Sequence, residues 1–217
     1  MYEYLYRTIK SHSDAYLAAS PIINNRDGVF STFQIGNTIY REGDFMSMEE
    51  YMRLFLNFQI DSSAWNKLYK REFIKHGFLK GRTNEDYLFL YYNCKEWYGS
   101  KVGFVMCETP HYYYSRRANS ICHQDKNHMD TLLVAVTKNC IEIIDDLNSW
   151  NTSLLPIVYR RIEYASLKAN GQMILLPKSE EKYPEECDFI DKVIRQRLSL
   201  FRRGMSLMNR EKLINFR

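Results

Sequence analysis

Glycine and proline are scarce in this sequence, with 9 and 5 occurrences among 217 residues. This scarcity excludes a collagen-like chain and argues against long flexible linkers. No run reaches the roughly 18 to 20 apolar residues that a membrane span needs, and the first residues lack the apolar middle of a signal peptide. We therefore expect an intracellular protein, nuclear or cytoplasmic, that makes no membrane contact.

Cysteine is also sparse, and its five positions form no pattern typical of disulfides or zinc sites. The odd count and the absence of a C-x-x-C pair favour reduced thiols. Cys107 and Cys122 lie near His111, His123 and His128 in the sequence, but their spacing is not that of a zinc site. We expect no metal and no cofactor.

Aromatic side chains are abundant at 15%, with 17 Tyr, 12 Phe and 3 Trp, and hydrophobic residues make up 45%. A chain of this length buries a core without disulfide or metal support and forms one large or two small domains. Most of the rings are expected in the core and at interfaces, and the alternative is stacking on nucleic-acid bases. Composition does not separate these two uses.

Positive charge is concentrated at the C-terminus. Residues 192–217 hold eight Lys and Arg against Glu211 alone, a net charge of +7, whereas the remainder of the chain carries −3. Such asymmetry is typical of a protein that binds a polyanion or an acidic protein. The alternative is an ordinary solvated helix face.

Local patterns in the first 77 residues predict a hairpin followed by two helices. Residues 29–35 and 37–41 read as extended pieces of a small N-terminal hairpin. Ser47 and Glu50 form a capping-box pattern that starts a helix over 47–58. A second helix, basic and amphipathic, is predicted over 62–76 with Gly77 as its C-cap.

The rest of the chain reads as strands and a final helix. Strands are predicted at 78–80, 87–92 and 101–107, and a buried hairpin at 131–136 and 140–144. Residues 154–159 and 172–176 read as extended, and a helix is expected from about Glu185. These elements predict an α+β chain.

The order of these elements resembles the tRNA-splicing endonuclease family over residues 45–147. The resemblance is carried by a basic helix that runs into a glycine, a tyrosine-containing strand, an Arg-Ala pair and a closing hairpin. These correspond to residues 68–79, residues 86–91, Arg117-Ala118, and residues 131–136 with 141–144, preceded by Glu49-Glu50. The resemblance implies a small N-terminal α/β region (1–77), an endonuclease-like mixed-sheet domain (78–147) and a C-terminal extension with a basic helix (148–217).

In that family a tyrosine, a histidine and a lysine cleave RNA without a metal. Only the tyrosine has a counterpart here, Tyr91, with Tyr92 as the alternative one place later. The histidine position corresponds to Lys101, and the lysine position falls near Asp130, whose carboxylate would repel the negatively charged transition state. The resemblance therefore implies a structural, non-catalytic subunit. If the chain is active, Tyr91, His111 and Lys126 are the candidates, provided that the loop between 118 and 130 brings them together.

The predicted function is to support assembly of the endonuclease with its other subunits and to bind precursor tRNA. Candidate RNA-binding residues are the cations on the predicted helix, in the loops and in the tail: Lys67, Lys70, Arg71, Lys101, Arg116, Arg117, Arg202 and Arg203. No small-molecule cofactor is expected.

Three alternatives stay open from the sequence. The two predicted helices over 47–77 also fit a winged-helix protein that binds nucleic acid. An active, metal-independent RNA endonuclease subunit is the second. The third is a purely structural interaction protein, in which Tyr112, Tyr113 and Tyr114 form a packing or interface patch instead of a base-stacking platform.

Overall fold

The computed structural model describes residues 1–26, 29–33, 44–107, 109–110, 112–115 and 131–196. The chain divides into two compact units, Met1–Arg117 and Ala118–Arg217. The first unit combines strands and helices, and the described part of the second is helical. The predicted α+β class is therefore confirmed.

A four-stranded mixed sheet forms the centre of the first unit. Its strands are β1 (Ala15–Ala19), β4 (Phe45–Ser47), β5 (Lys67–Tyr69) and β6 (Gly103–Met106), in the order β4-β6-β1-β5. β1 and β6 run parallel, and the two outer pairs are antiparallel. The predicted strand over 101–107 is thus confirmed as β6.

The first unit contains a second sheet, which has three strands. β2 (Ile22–Arg26) pairs antiparallel with β3 (Val29–Phe33) and parallel with β7 (Tyr112–Ser115). The predicted N-terminal hairpin exists, but the partner of the 29–33 strand is β2, which the sequence did not indicate. The predicted strand over 37–41 lies outside the described residues.

Three helices pack with these sheets: α1 (Tyr2–Ser11), α2 (Met48–Leu56) and α3 (Glu85–Glu96). α2 confirms the predicted start, because the Ser47 Oγ accepts a hydrogen bond from the Glu50 backbone N–H at 3.1 Å. Aromatic rings fill the core, with Tyr51 stacked on Phe104 at 4.4 Å between centroids. The expectation that rings build the core holds here.

The predicted basic helix over 62–76 is wrong. Residues 67–69 form β5, and residues 71–73 form a single 3₁₀ turn. The loop before β5 is held by Asp86, whose Oδ2 accepts from the Ala64 N–H at 3.1 Å, and β5 then pairs with β1. This tertiary pairing overrides the helical spacing of the apolar residues.

The predicted strand over 87–92 is also wrong, because these residues lie inside α3. All five side chains from Tyr87 to Tyr91 are buried. An unbroken apolar run has no period, so it fits a fully buried helix as well as a buried strand.

The hairpin predicted over 131–144 is a single helix, α4 (Thr131–Trp150). The polar residues taken for its turn are absorbed into the helix, where the Thr137 Oγ1 donates to the Leu133 carbonyl at 2.8 Å. The two pieces predicted as extended are the ends of another helix, α5 (Leu155–Leu175), with Pro156 in its first turn.

The second unit is completed by α6 (Ser179–Lys182) and by α7 over 184–196, which confirms the predicted C-terminal helix as far as it is described. Val134 of α4, Ala169 of α5 and Ile190 of α7 share one buried cluster. No helix in the described part of the chain is both long enough and apolar enough to cross a membrane.

Candidate nucleic-acid interface

A cavity of about 390 Å³ lies in the first unit between α1 and β5. Residues of α1 and of the turn after it line one side: Tyr6, Ile9, Lys10, His12 and Ser13. Residues of β5 and the position after it line the other: Leu68, Tyr69 and Lys70.

Lys70 is fixed at the edge of this cavity by two hydrogen bonds. Its backbone N–H extends the β1–β5 ladder by donating to the Tyr16 carbonyl at 2.8 Å, and its Nζ donates to the Ser13 carbonyl, also at 2.8 Å. The Nζ also lies 4.9 Å from the centre of the Tyr16 ring. Among the described residues, no carboxylate pairs with this ammonium group.

Tyr16 marks a register shift in the parallel pairing of β1 with β6, which falls between Ala15 and Leu17. Such irregularities change the direction of a side chain relative to its neighbours on the strand. The Tyr16 ring contacts Trp97 edge to face, with centroids 5.0 Å apart. The shift thereby places an aromatic ring between Lys70 and the end of α3.

Lys75 extends this row because Asn93 of α3 holds its loop. The buried Asn93 Oδ1 accepts from the backbone N–H groups of Lys75 at 2.6 Å and His76 at 3.0 Å. Trp97 is anchored through its Nε1–H, which donates to the Phe73 carbonyl at 3.1 Å. The Lys75 Nζ then lies 5.2 Å from the Trp97 ring centre.

A third lysine–ring pair lies on α1, where the Lys10 Nζ is 5.2 Å from the centre of the Tyr6 ring. We call the surface of these three pairs the basic–aromatic surface; it comprises Tyr6, Lys10, Tyr16, Lys70, Lys75 and Trp97. Within the described residues, none of its lysines forms an ion pair with a carboxylate. Lysines that have no carboxylate partner can bind phosphates, and the aromatic rings next to them can stack with bases.

Lys67 has the opposite environment, and its predicted role in RNA binding needs correction. Its side chain is fully buried, and the Nζ donates to the Ser63 carbonyl and to Asn66 Oδ1, with Asp61 Oδ2 3.5 Å away. Burial lowers the pKa of Lys67, and the nearby Asp61 carboxylate opposes that shift. This lysine belongs to the interior of the fold and does not reach a ligand.

Two further groups near Lys67 have shifted pKa values. Burial raises the pKa of the Asp86 carboxyl, and the hydrogen bond from Ala64 opposes the change. Burial likewise raises the pKa of Tyr69 well above its ordinary value, so its hydroxyl stays protonated at neutral pH. The Tyr69 phenol is therefore not poised to act as a base at neutral pH.

The described residues do not bring the three candidate catalytic side chains together. Tyr91 is fully buried on α3, with its ring against Tyr92 at 5.2 Å. His111 and Lys126 lie outside the described residues. A buried phenol has no path to a ribose hydroxyl, so this conformation does not present Tyr91 to RNA.

Of the remaining RNA-binding candidates, Lys70 is part of the basic–aromatic surface and Arg71 is exposed next to it. Lys101 is exposed in the turn before β6. Arg116, Arg117, Arg202 and Arg203 lie outside the described residues. Where the basic tail is described, its cations are paired: Lys192 with Asp188 at 2.6 Å and Arg195 with Asp191 at 2.8 Å.

The tyrosine triplet divides into two roles. Tyr112 and Tyr114 pack on Trp65, with ring centroids 4.2 Å and 5.3 Å apart, whereas Tyr113 is 64% exposed. Two of the three rings therefore pack within the first unit.

Sequence reasoning missed Tyr6, Lys10, Tyr16 and Trp97 as parts of one surface. They come from α1, β1 and the end of α3, and only the β1–β5 pairing and the Asn93 hydrogen bonds assemble them. The clustered cations around position 70 were the one signal available in the sequence.

Comparison with known proteins adds no family to this description. No protein-family model matches the chain, and a search of curated proteins finds no match. The resemblance to tRNA-splicing endonuclease subunits stays a prediction. Three of the elements that carried it differ in this fold: the basic helix is replaced by β5 and a 3₁₀ turn, and the tyrosine strand and the closing hairpin are helices.

Proposed function

We propose that this chain binds RNA through the basic–aromatic surface and does not cut it. The observation that carries the proposal is the set of three lysines, Lys10, Lys70 and Lys75, each placed over an aromatic ring. Cations of this kind attract the phosphate backbone, and the exposed ring of Tyr6 and the half-buried rings of Tyr16 and Trp97 offer faces on which bases stack.

Unpaired RNA fits this surface better than duplex DNA does. Stacking on a protein ring requires a base whose face is free, which loops and single strands supply and a regular duplex hides. The winged-helix alternative depended on a second helix over 62–76, which the fold replaces with β5.

The absence of a cleavage role is supported by the burial of Tyr91, the first counterpart of the endonuclease family's catalytic tyrosine. The narrower role is that of a structural subunit which holds precursor tRNA beside other endonuclease subunits. That role rests on the sequence resemblance alone.

The test measures affinity for an intron-containing precursor tRNA by fluorescence anisotropy. The triple variant Lys10→Ala/Lys70→Ala/Lys75→Ala should bind at least about tenfold more weakly. The slope of the logarithm of its binding constant against the logarithm of the salt concentration should become shallower by about 2, because each lost phosphate contact contributes about 0.7. The matched control is Arg160→Ala/Lys178→Ala/Lys182→Ala, which removes the same charge from exposed positions of the second unit.

The control should bind within about twofold of the wild type. Equal losses in both triple variants would show that only net charge matters and would contradict the proposal. So would affinity for a blunt DNA duplex equal to that for the precursor tRNA.

A further inference from the structure

The cavity between α1 and β5 is large enough to hold one nucleotide. Its volume of about 390 Å³ falls within the range typical of small-ligand pockets, roughly 300 to 1,000 Å³. The cavity therefore has room for a ligand group that enters it.

The chemistry of the lining changes from the inside of the cavity to its edge. Ile9 is buried, and Leu68 packs with the apolar cluster beneath α1. Lys10, Ser13 and Tyr6 are exposed. An apolar interior beneath a cationic edge suits a flat ring whose faces stack on apolar side chains and which carries a negative charge at one end, and a nucleotide is a ligand of this kind.

Lys70 joins this cavity to the rest of the basic–aromatic surface. Its Nζ is held by the Ser13 carbonyl at the edge of the cavity and lies over Tyr16, next to Trp97 and Lys75. A strand that lies along Tyr16 and Trp97 therefore passes the cavity with a phosphate near Lys70. Because that ammonium group is already fixed, little ordering is needed when the phosphate arrives.

We propose that this cavity receives one unstacked nucleobase of a bound RNA strand, with the adjoining phosphate at Lys70 and Lys10. This inference rests on the proposed function and adds a requirement to it. The protein selects RNA in which a base is free to leave the stack, and a single nucleoside monophosphate is its smallest ligand.

The first test measures the binding of uridine 5′-monophosphate, ribose 5-phosphate and inorganic phosphate by NMR titration. The second compares the affinity for a single-stranded RNA of about 12 nucleotides with the affinity for the blunt RNA duplex of the same sequence. The nucleotide should bind at least about tenfold more tightly than ribose 5-phosphate or phosphate. The single strand should bind at least about tenfold more tightly than the duplex.

Two variants locate the binding in the cavity. Ser13→Phe places a ring in it, and Tyr6→Ala removes an exposed lining ring, so each should weaken nucleotide and single-strand binding by about fivefold or more. The matched controls are Ser11→Phe and Tyr2→Ala. Tyr2 is 63% exposed on the same helix, close to the 52% of Tyr6, and both controls should bind as the wild type does.

The outcomes separate this inference from the proposed function. One outcome is that the lysine triple variant loses affinity for RNA while Ser13→Phe and Tyr6→Ala keep their affinity for both the nucleotide and the single strand. In that case the surface binds RNA and the cavity inference is wrong. Equal binding of the nucleotide and ribose 5-phosphate would also overturn it. If the nucleotide binds in the cavity but no RNA binds, the proposed function fails and the inference about a bound RNA strand fails with it, although the cavity takes a free nucleotide.

Discussion

The two faces of β5 use the same residue type for opposite purposes. Lys67 is fully buried toward α3, with its Nζ bonded to Ser63 and Asn66. Lys70, three positions later, lies on the α1 side at the edge of the cavity, over the Tyr16 ring. Neighbouring positions on a strand point to opposite faces, so sequence proximity does not make these lysines equivalent.

The degree of burial determines whether each lysine stabilises the fold or is available to bind a ligand. Lys67 is desolvated, so its hydrogen-bond partners are needed to keep the fold stable. Lys70 keeps its hydration and lacks a carboxylate partner among the described residues, so its charge is available to a ligand. Four predictions test this division, beginning with the largest effect.

Replacing the buried lysine should cost far more stability than replacing the surface one. Lys67→Ala leaves Ser63 O and Asn66 Oδ1 without their donor and should lower the free energy of unfolding of the first unit by about 3 kcal/mol. Lys70→Ala should lower it by less than about 1 kcal/mol. Urea unfolding followed by tryptophan fluorescence measures both, and similar losses would break the comparison.

Asn93 links the interior to the surface, so its loss should affect both stability and binding. Asn93→Ala leaves the backbone N–H groups of Lys75 and His76 without an acceptor and should cost about 2 kcal/mol. Because Lys75 is then no longer held near Trp97, RNA affinity should also fall several-fold. Asn139→Ala, at a buried position of the second unit, is the control. It should lose stability and keep its affinity, and equal affinity losses would refute the positioning role.

For RNA affinity the order of the two lysines is the reverse of their order for stability: replacing Lys70 should have the larger effect. Lys70→Ala should weaken binding by about fivefold and reduce the salt slope by about 0.7. Lys67→Met, which keeps most of the buried stem, should leave the affinity of the folded protein unchanged. A loss of affinity in Lys67→Met without a loss of stability would place the buried lysine in the binding surface after all.

The smallest effect is on the pH dependence of stability. The pKa of Lys67 is lower in the folded protein than its ordinary value of 10.5, so between those two values the unfolded chain binds more protons. The stability contribution is therefore fully present above 10.5 and is lost as the pH falls through the folded pKa. Unfolding measured at increasing alkaline pH up to 10.5 should show stability rising with pH in the wild type relative to Lys67→Met. Parallel curves would contradict it.

Local capping and amphipathic patterns in the sequence were good predictors of individual elements. Ser47 bonds the Glu50 N–H as a cap should, β6 lies within the predicted strand, and α7 follows the periodic apolar residues near 190. In each case the signal lies within a few neighbouring residues. The physical cause of the element is then visible in the sequence.

Continuous apolar runs were misleading because they carry no period. Residues 87–91 are all buried, and within 131–144 buried residues stand at both helix-spaced and adjacent positions. Both runs were assigned to strands although they form α3 and α4. Tertiary packing chose the helix in both cases.

The candidate site was only partly predictable for a different reason. Lys70 and Arg71 were found from local charge, but Tyr16 and Trp97 are 81 positions apart in the sequence and meet edge to face. Their contact follows from the β1–β6 register shift and from the placement of α3. Neither feature has a local signature in the amino-acid pattern.

The parallel pairing of β1 with β6 and of β2 with β7 has a consequence for synthesis of the chain. Ala19 is opposite Met106, and Ile23 is opposite Tyr113. A ribosome that adds about 5 to 20 residues per second needs several seconds or more to produce these late partners. Until then β1 and β2 can pair only with β5 and β3. The nascent chain therefore exposes the unpaired edges of two incomplete sheets, and we expect a chaperone to bind it most during this interval.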